Sequence, residues 1–136
     1  MTRKCDLVLL IDDEPTDNYL HKRSIDRAGI TNELMIFESA TDALEFLDSP
    51  GPSGERPRPD LIFLDINMPA LNGWEFLEEI ERRGLGEQLG AVIFMVSTSM
   101  NPTDVQRAEA IPLVSGYVSK HLSAESLTGI LNDHLS

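Results

Sequence analysis

The chain has 136 residues, 41% of them hydrophobic and 25% charged, which suits one globular domain and leaves little room for a second folded unit. A formal net charge of -12 repels nucleic-acid phosphates and anionic lipid headgroups alike, so direct DNA or RNA reading and membrane attachment are poor candidates. Near the amino terminus the longest apolar run, Leu7 to Ile11, is too short for a signal-peptide core or a membrane span, and the single Cys5 cannot form an internal disulfide, so the cytoplasm is the expected location.

In chain order, Leu7 to Ile11 reads as a first strand, with Cys5 a packed small residue at its start, and it runs straight into "DDEP". Pro15 to Ala28 is expected to be a helix, since Pro15 suits a first turn and Gly29 a carboxyl cap, although its apolar stripe is indistinct. Leu34 to Phe37 is a second strand; Ala40, Ala43, Leu44 and Leu47 at i, i+3, i+4, i+7 then predict a helix over Thr41 to Asp48. The stretch "SPGPSGERPRPD", residues 49–60, holds four of the eight prolines and is therefore an exposed loop rather than helix or central strand. Leu61 to Leu64 is a third strand, and Phe76, Leu77 and Ile80 stripe the next helix, with Trp74 as a half-buried packing residue near its start. Ala91 to Val96 and Val114 to Val118 are the fourth and fifth strands, separated by a helix opening at Asn101-Pro102. A last helix starts near Ser123 with Leu127, Ile130 and Leu131 on its buried side, and His21 and His134 read as solvated helix residues.

Strand and helix alternate five times, and the strand runs are apolar without period-two alternation, as a sheet covered on both faces requires. The expected fold is α/β, a doubly wound five-stranded parallel sheet with two or three helices on each face. In such sheets ligands bind beyond the carboxyl ends of the strands. Asp12 and Asp13 follow the first strand, Asp65 the third, Ser97, Thr98 and Ser99 the fourth, and Lys120 the fifth. Each has an ordinary reading as a helix cap, a loop hydroxyl or a solvated lysine, but together at one edge they define a site. Carboxylates this close repel by roughly 4 kcal/mol per pair at 4 Å and an effective dielectric near 20, so the cluster needs neutralising. Mg²⁺ suits an all-oxygen donor set and keeps waters that a phosphate can replace, whereas zinc is disfavoured because Cys5 is remote and the three histidines lack ligand spacing. A phosphoryl group carried on the Asp65 carboxylate would then lie among the cation, the Lys120 ammonium and the Ser97 hydroxyl.

"LLIDDEP", "PDLIFLDINMPALNGWEFL", "VIFMVSTS" and "GYVSK", in this order and at these spacings, resemble the receiver domain of two-component response regulators over essentially the whole chain. The resemblance implies the flavodoxin-like receiver fold, with Asp65 as phosphoacceptor and Asp12, Asp13, Asp65 and the Asn67 backbone carbonyl at the metal, Asp13 directly and Asp12 largely through water. It implies Lys120 as the phosphate-binding lysine, Ser97 as the switch hydroxyl, Tyr117 as the aromatic that changes rotamer with it, and Met68, Pro69, Asn72 and Gly73 as the turn into the third helix. Two features depart from the pattern. His121 stands where the family usually has a proline after a cis bond, and a trans Lys120-His121 peptide is expected, since a cis bond without proline costs about 3 kcal/mol. The loop 49–60 is longer than in a minimal receiver and is similar to loops in stand-alone receivers linked to phytochrome-type kinases.

The leading expectation is a single receiver domain, residues 1–136 with no appended effector, acting as a phosphorylation-dependent switch. A sensor histidine kinase or phosphotransfer protein would phosphorylate Asp65 with Mg²⁺. Output would pass through the segment from Asn101 to Leu135 to an unidentified downstream protein or onward in a phosphorelay, and the resemblance implies a face for homodimer pairing in the fourth and fifth helices. The chain would then catalyse only its own phosphorylation and dephosphorylation. An aspartate-based phosphatase or phosphotransferase acting on a small substrate is the alternative, disfavoured because Asn67 stands where such enzymes carry a second aspartate as general acid and no cap insertion is present. A pseudo-receiver that never carries phosphate is the third reading, and the intact set Asp12, Asp13, Asp65, Ser97 and Lys120 argues against it.

Overall fold

Strands β1 (Cys5–Ile11), β2 (Thr31–Phe37), β3 (Leu61–Asp65), β4 (Val92–Ser97) and β5 (Val114–Ser119) pair in parallel in the order β2-β1-β3-β4-β5. The computed structural model describes residues 5–98, 101–120 and 122–134, so Ser99 and the Lys120-His121 peptide lie outside the described residues. The strand order reverses between β1 and β3, which makes the carboxyl edge of these two strands the switch point at which α/β sheets bind ligands. The expected strands are all present, several of them extended by one to three residues. Pairing can continue past the apolar run wherever a neighbouring strand offers backbone partners; the early residues of β2, Thr31 to Glu33, are held in this way by β1.

Helices α1 (Pro15–Ala28), α2 (Ala40–Asp48), α3 (Gly73–Arg82), α5 (Pro102–Glu109) and α6 (Ala124–His134) are the five expected, and a short turn of helix, α4 (Gly86–Leu89), adds one the sequence did not suggest. Only four residues long, α4 has no stripe to read; it serves to tuck Leu85 and Leu89 under the sheet. Alternation along the strands sends Leu9, Ile11, Ile62, Leu64, Ile93 and Met95 to one face, where α2, α3 and α5 cover them. Val8, Leu10, Leu61, Phe63, Phe94 and Val96 point to the other face, beneath α1 and α6. No helix among the described residues is long and apolar enough to cross a membrane.

The indistinct stripe of α1 now has an explanation. Its buried positions are Asn18, His21 and Ile25, an i, i+3, i+7 row in which two of the three residues are polar. His21 is 3% exposed, which corrects the expectation of a solvated histidine; the ring turns inward because a backbone carbonyl waits there for its N–H. His134 is exposed on the last turn of α6, with its ring edge-on to Phe94. Trp74 is buried more fully than expected, at 7% exposure, with the Arg107 guanidinium 4.3 Å from its ring centroid. The loop 49–60 is largely exposed, and Asp60 closes it by accepting the Asp6 backbone N–H at 2.7 Å.

Between β3 and α3 the chain must turn back against the end of the sheet. Asn72 caps α3 in a capping box with Glu75, and the Gly73 N–H donates to the Ile66 carbonyl at 2.9 Å. A Cβ at position 73 would lie 2.7 Å from the Asp65 carbonyl oxygen and 3.0 Å from the Ile66 Cα, both backbone atoms with nowhere to go. Gly73→Ala is therefore expected to destabilise the fold by about 2 kcal/mol or more in urea unfolding. A loss below about 0.5 kcal/mol would show that this approach is not rigid.

Candidate functional site

Ladder register brings the acidic residues together. Ile11 pairs with Leu64, so Asp12 and Asp65 fall side by side at the next step. Asp65 pairs with Val96, Ser97 with Ser119, and Lys120 follows immediately, its N–H donating to the Ser97 carbonyl at 2.9 Å. Asp12, Asp65 and Lys120 share the strand parity of the α1/α6 face, whereas Ser97 and Tyr117 have the parity of the face covered by α2, α3 and α5. The edge of the sheet thus has a charged side and a hydroxyl-aromatic side.

On the charged side, Asp12, Asp13 and Asp65 each offer a carboxylate oxygen, and these oxygens lie within 4.8 Å of one another. Asp12 and Asp65 are buried and Asp13 is half-buried. The Lys120 ammonium reaches into the cluster, 3.1 Å from Asp12 Oδ2 and 3.5 Å from Asp65 Oδ1, and it also bonds Asp17 Oδ2 at 2.9 Å. Asp12 Oδ1 accepts the Glu14 N–H at 3.0 Å, while the buried Oδ2 is met by the Lys120 ammonium alone among the described residues. Glu14 itself turns outward as the amino cap of α1. Asn67 is exposed, and its backbone N–H lies near enough to the Asp65 carboxylate to favour the charged form.

Burial raises the Asp65 pKa most and the charge of Asp12 raises it further, to about 7, although Lys120 and the Asn67 N–H pull the other way. Partial burial opposes the charge on Lys120, but bonds to Asp17 and Asp12 and the charge of Asp65 outweigh it and hold the ammonium above the ordinary lysine range. Among the described residues, Lys120 is thus the cation set against the four acids Asp12, Asp13, Asp17 and Asp65. The buried, acid-rich cluster and its all-oxygen donor set fit a hard divalent metal, with Asp12, Asp13 and Asp65 able to hold it.

On the opposite side, Ser97 is buried at the end of β4. Tyr117 packs in part against the core and lines a groove of about 290 Å³ with Val105, Ala108, Glu109 and Val114, between α5 and β5. The structure therefore brings Asp12, Asp13, Asp65 and Lys120 together, and places Ser97 and Tyr117 on the other side of the same sheet edge. It adds three that the sequence did not mark: Asp17 on the lysine head, Asn18, whose Nδ2 donates to the Asp12 carbonyl at 2.8 Å, and His21, whose Nε2 lies 2.7 Å from the Lys120 carbonyl. The signal for them was available as polar residues at core spacing on a helix that opens at the acidic cluster.

Residues 8–132 match the family described as the response regulator receiver domain. The chain belongs to this family: it is a receiver domain of two-component signalling, with a phosphorylation-dependent signalling role. Among curated relatives, the response regulator Rcp1 of Synechocystis is 33% identical over 99 residues, which span 73% of this chain and 66% of Rcp1, just under two thirds of its length. Among solved structures, a two component response regulator from Cytophaga hutchinsonii superposes with a TM-score of 0.87 at 33% identity, covering 98% of both chains. The Mn(2+)-bound form of response regulator Rcp1 superposes with a TM-score of 0.70 at 28% identity, covering 94% of this chain and 90% of that one.

Proposed function

We propose that Asp65 is the phosphoacceptor of this receiver, that a sensor histidine kinase or phosphotransfer protein is its donor, and that the metal is Mg²⁺. The observation that carries this reading is the convergence of Lys120 Nζ on Asp12 and Asp65, with Asp13 in the same oxygen cluster. An Asp65 carboxylate oxygen attacks the phosphorus of the donor phosphohistidine; an O–P bond forms, the N–P bond breaks, and the imidazole leaves with the electron pair. Lys120 holds the phosphoryl oxygens, and the Asn67 N–H orients the acceptor carboxylate. Bound Mg²⁺, held by Asp12, Asp13 and Asp65 with the Asn67 carbonyl, supplies charge neutralisation for the phosphoryl oxygens. The Mn(2+)-bound form of a related response regulator supports a divalent ion in this receiver.

Ser97 and Tyr117 carry the signal. A phosphoryl oxygen that draws the Ser97 hydroxyl towards Asp65 vacates space beside β5, and the groove next to Tyr117 gives its ring somewhere to turn. Output then passes through α5, β5 and α6 to another protein or, in a relay, onward as phosphate. The chain acts on no external substrate, since Asn67 cannot serve as the second acid of an aspartate phosphatase. Tyr19 and Leu20 are the two most exposed large hydrophobics among the described residues; both lie on α1, where Leu20 borders a pocket with His21 and Lys120, and they suit a docking donor.

Incubation with Mg²⁺ and acetyl phosphate is expected to add one phosphoryl group to the chain, mapped to Asp65 by mass spectrometry. An unmodified mass would favour a pseudo-receiver, and sustained turnover of a metabolite phosphate would favour the phosphatase. Tyr19→Glu is expected to slow transfer from a phosphorylated histidine donor about tenfold while changing the acetyl phosphate rate less than about twofold. Equal slowing of both reactions would remove α1 as the docking face.

A further inference from the structure

Lys120 is held at three points, and two of its partners come from one face of α1. Its ammonium bonds Asp17 and its carbonyl oxygen lies 2.7 Å from His21 Nε2, residues spaced i, i+4. A carbonyl can only accept, so the proton of that bond sits on Nε2, leaving Nδ1 as the buried ring atom without a hydrogen-bond partner. The third point is the Lys120 N–H, bonded to the Ser97 carbonyl at 2.9 Å. The two backbone bonds fix the root of the lysine between β4 and α1, and the side chain projects from that root to Asp12 and Asp65.

Nothing about packing alone demands a histidine here. His21 is 3% exposed in a row with Ile25, where an aliphatic side chain would bury more apolar surface and leave no orphan nitrogen. Among the described residues the ring's polar contact is with Lys120, the residue whose ammonium enters the acidic cluster. We infer that His21 is a positioning residue for phosphoryl transfer, holding the backbone of Lys120 so that its ammonium meets the phosphoryl group on Asp65. This rests on the reading of Asp65 and Lys120 given under Proposed function. Displacement of the lysine root by about 1 Å would take Nζ out of its place among the three carboxylates, and misplacements of that size cost up to about a hundredfold in rate.

The test compares His21→Leu and His21→Gln, each with and without Lys120→Ala, in the 136-residue chain with Mg²⁺ and acetyl phosphate. Leucine fills the space but donates nothing, whereas the glutamine Nε2 can donate where the imidazole Nε2 does. His21→Leu is expected to slow phosphoryl uptake about tenfold, His21→Gln to recover it to within about threefold of the unaltered chain, and the leucine effect to shrink below about twofold in the Lys120→Ala background. A long-range ¹⁵N spectrum of the unaltered, metal-free chain is expected to report the Nε2–H form of His21, with a slowly exchanging proton. Equal slowing by leucine in both lysine backgrounds, no slowing at all, or a proton on Nδ1 would each overturn the inference. Should His21→Leu fail to fold, the glutamine variant and the spectrum decide it in the same way. Failure of the unaltered chain to take up phosphate would instead overturn the assignment of Asp65 and leave the ¹⁵N result to judge His21 on its own.

Discussion

Asp65→Asn is expected to abolish phosphoryl uptake from acetyl phosphate and from a histidine donor, because the amide cannot attack phosphorus and no other described acid of the cluster occupies the same place beside Lys120 and the Asn67 N–H. The same substitution should alter the pH dependence of stability in metal-free buffer. The native-state pKa of Asp65 is about 7 against an ordinary 3.8, so the folded chain binds this proton more tightly than the unfolded chain does. Stability from this source is fully present below about pH 4 and is lost as the pH rises through about 7, by an amount on the order of 4 kcal/mol. Asparagine has no proton to lose and removes that slope. The stability difference between Asp65→Asn and the unaltered chain, followed by urea unfolding in EDTA, should therefore move in favour of the variant between pH 4 and 7. A difference that is flat with pH, or that moves the other way, would show that Asp65 is not held in a strained, charge-crowded place.

The second large effect concerns Asp13. Without metal, its half-buried carboxylate adds repulsion to a cluster in which oxygens from Asp12, Asp13 and Asp65 lie within 4.8 Å and one lysine does the balancing. Asp13→Asn is expected to raise metal-free stability by about 1 kcal/mol. With millimolar Mg²⁺ the order reverses, since the unaltered chain gains stability through binding and the variant has lost a charged ligand. Thermal unfolding of both proteins with and without Mg²⁺ measures this directly. If Asp13→Asn destabilises the metal-free chain by more than about 1 kcal/mol, Asp13 has a structural partner that outweighs the repulsion. If Mg²⁺ stabilises both proteins equally, the ion binds elsewhere.

These two effects, unlike that of His21, were accessible from the order of residues alone. Each acid directly ends or follows an apolar run, and in a parallel sheet the ends of consecutive runs share an edge whatever the loops do. "LLIDD" and "LIFLD" therefore bring Asp12, Asp13 and Asp65 together once the runs are accepted as strands. The helices were less legible in proportion to the polarity of their buried rows. Ala40, Ala43, Leu44 and Leu47 announce α2 plainly, whereas α1 buries Asn18 and His21 beside Ile25, and its inner face looked like its outer one. The short α4 spans a single turn, and no periodicity can show in so few residues.

The chain of residues by itself determined the parallel five-stranded sheet, the acidic edge and the lysine opposite it, because these depend on a run length, a strand end and the handedness common to all such crossovers. Tertiary structure alone decided which side of the sheet each group serves. The register across β1, β3 and β5 turned Asp12, Asp65 and Lys120 towards α1 and left Ser97 and Tyr117 towards α5, and the rotation of α1 about its own axis chose Asp17, Asn18 and His21 to meet them. A helix can present any of its faces to a sheet until packing selects one, and here the face selected is the one from which Asp17 Oδ2, Asn18 Nδ2 and His21 Nε2 reach the ammonium and backbone of the site.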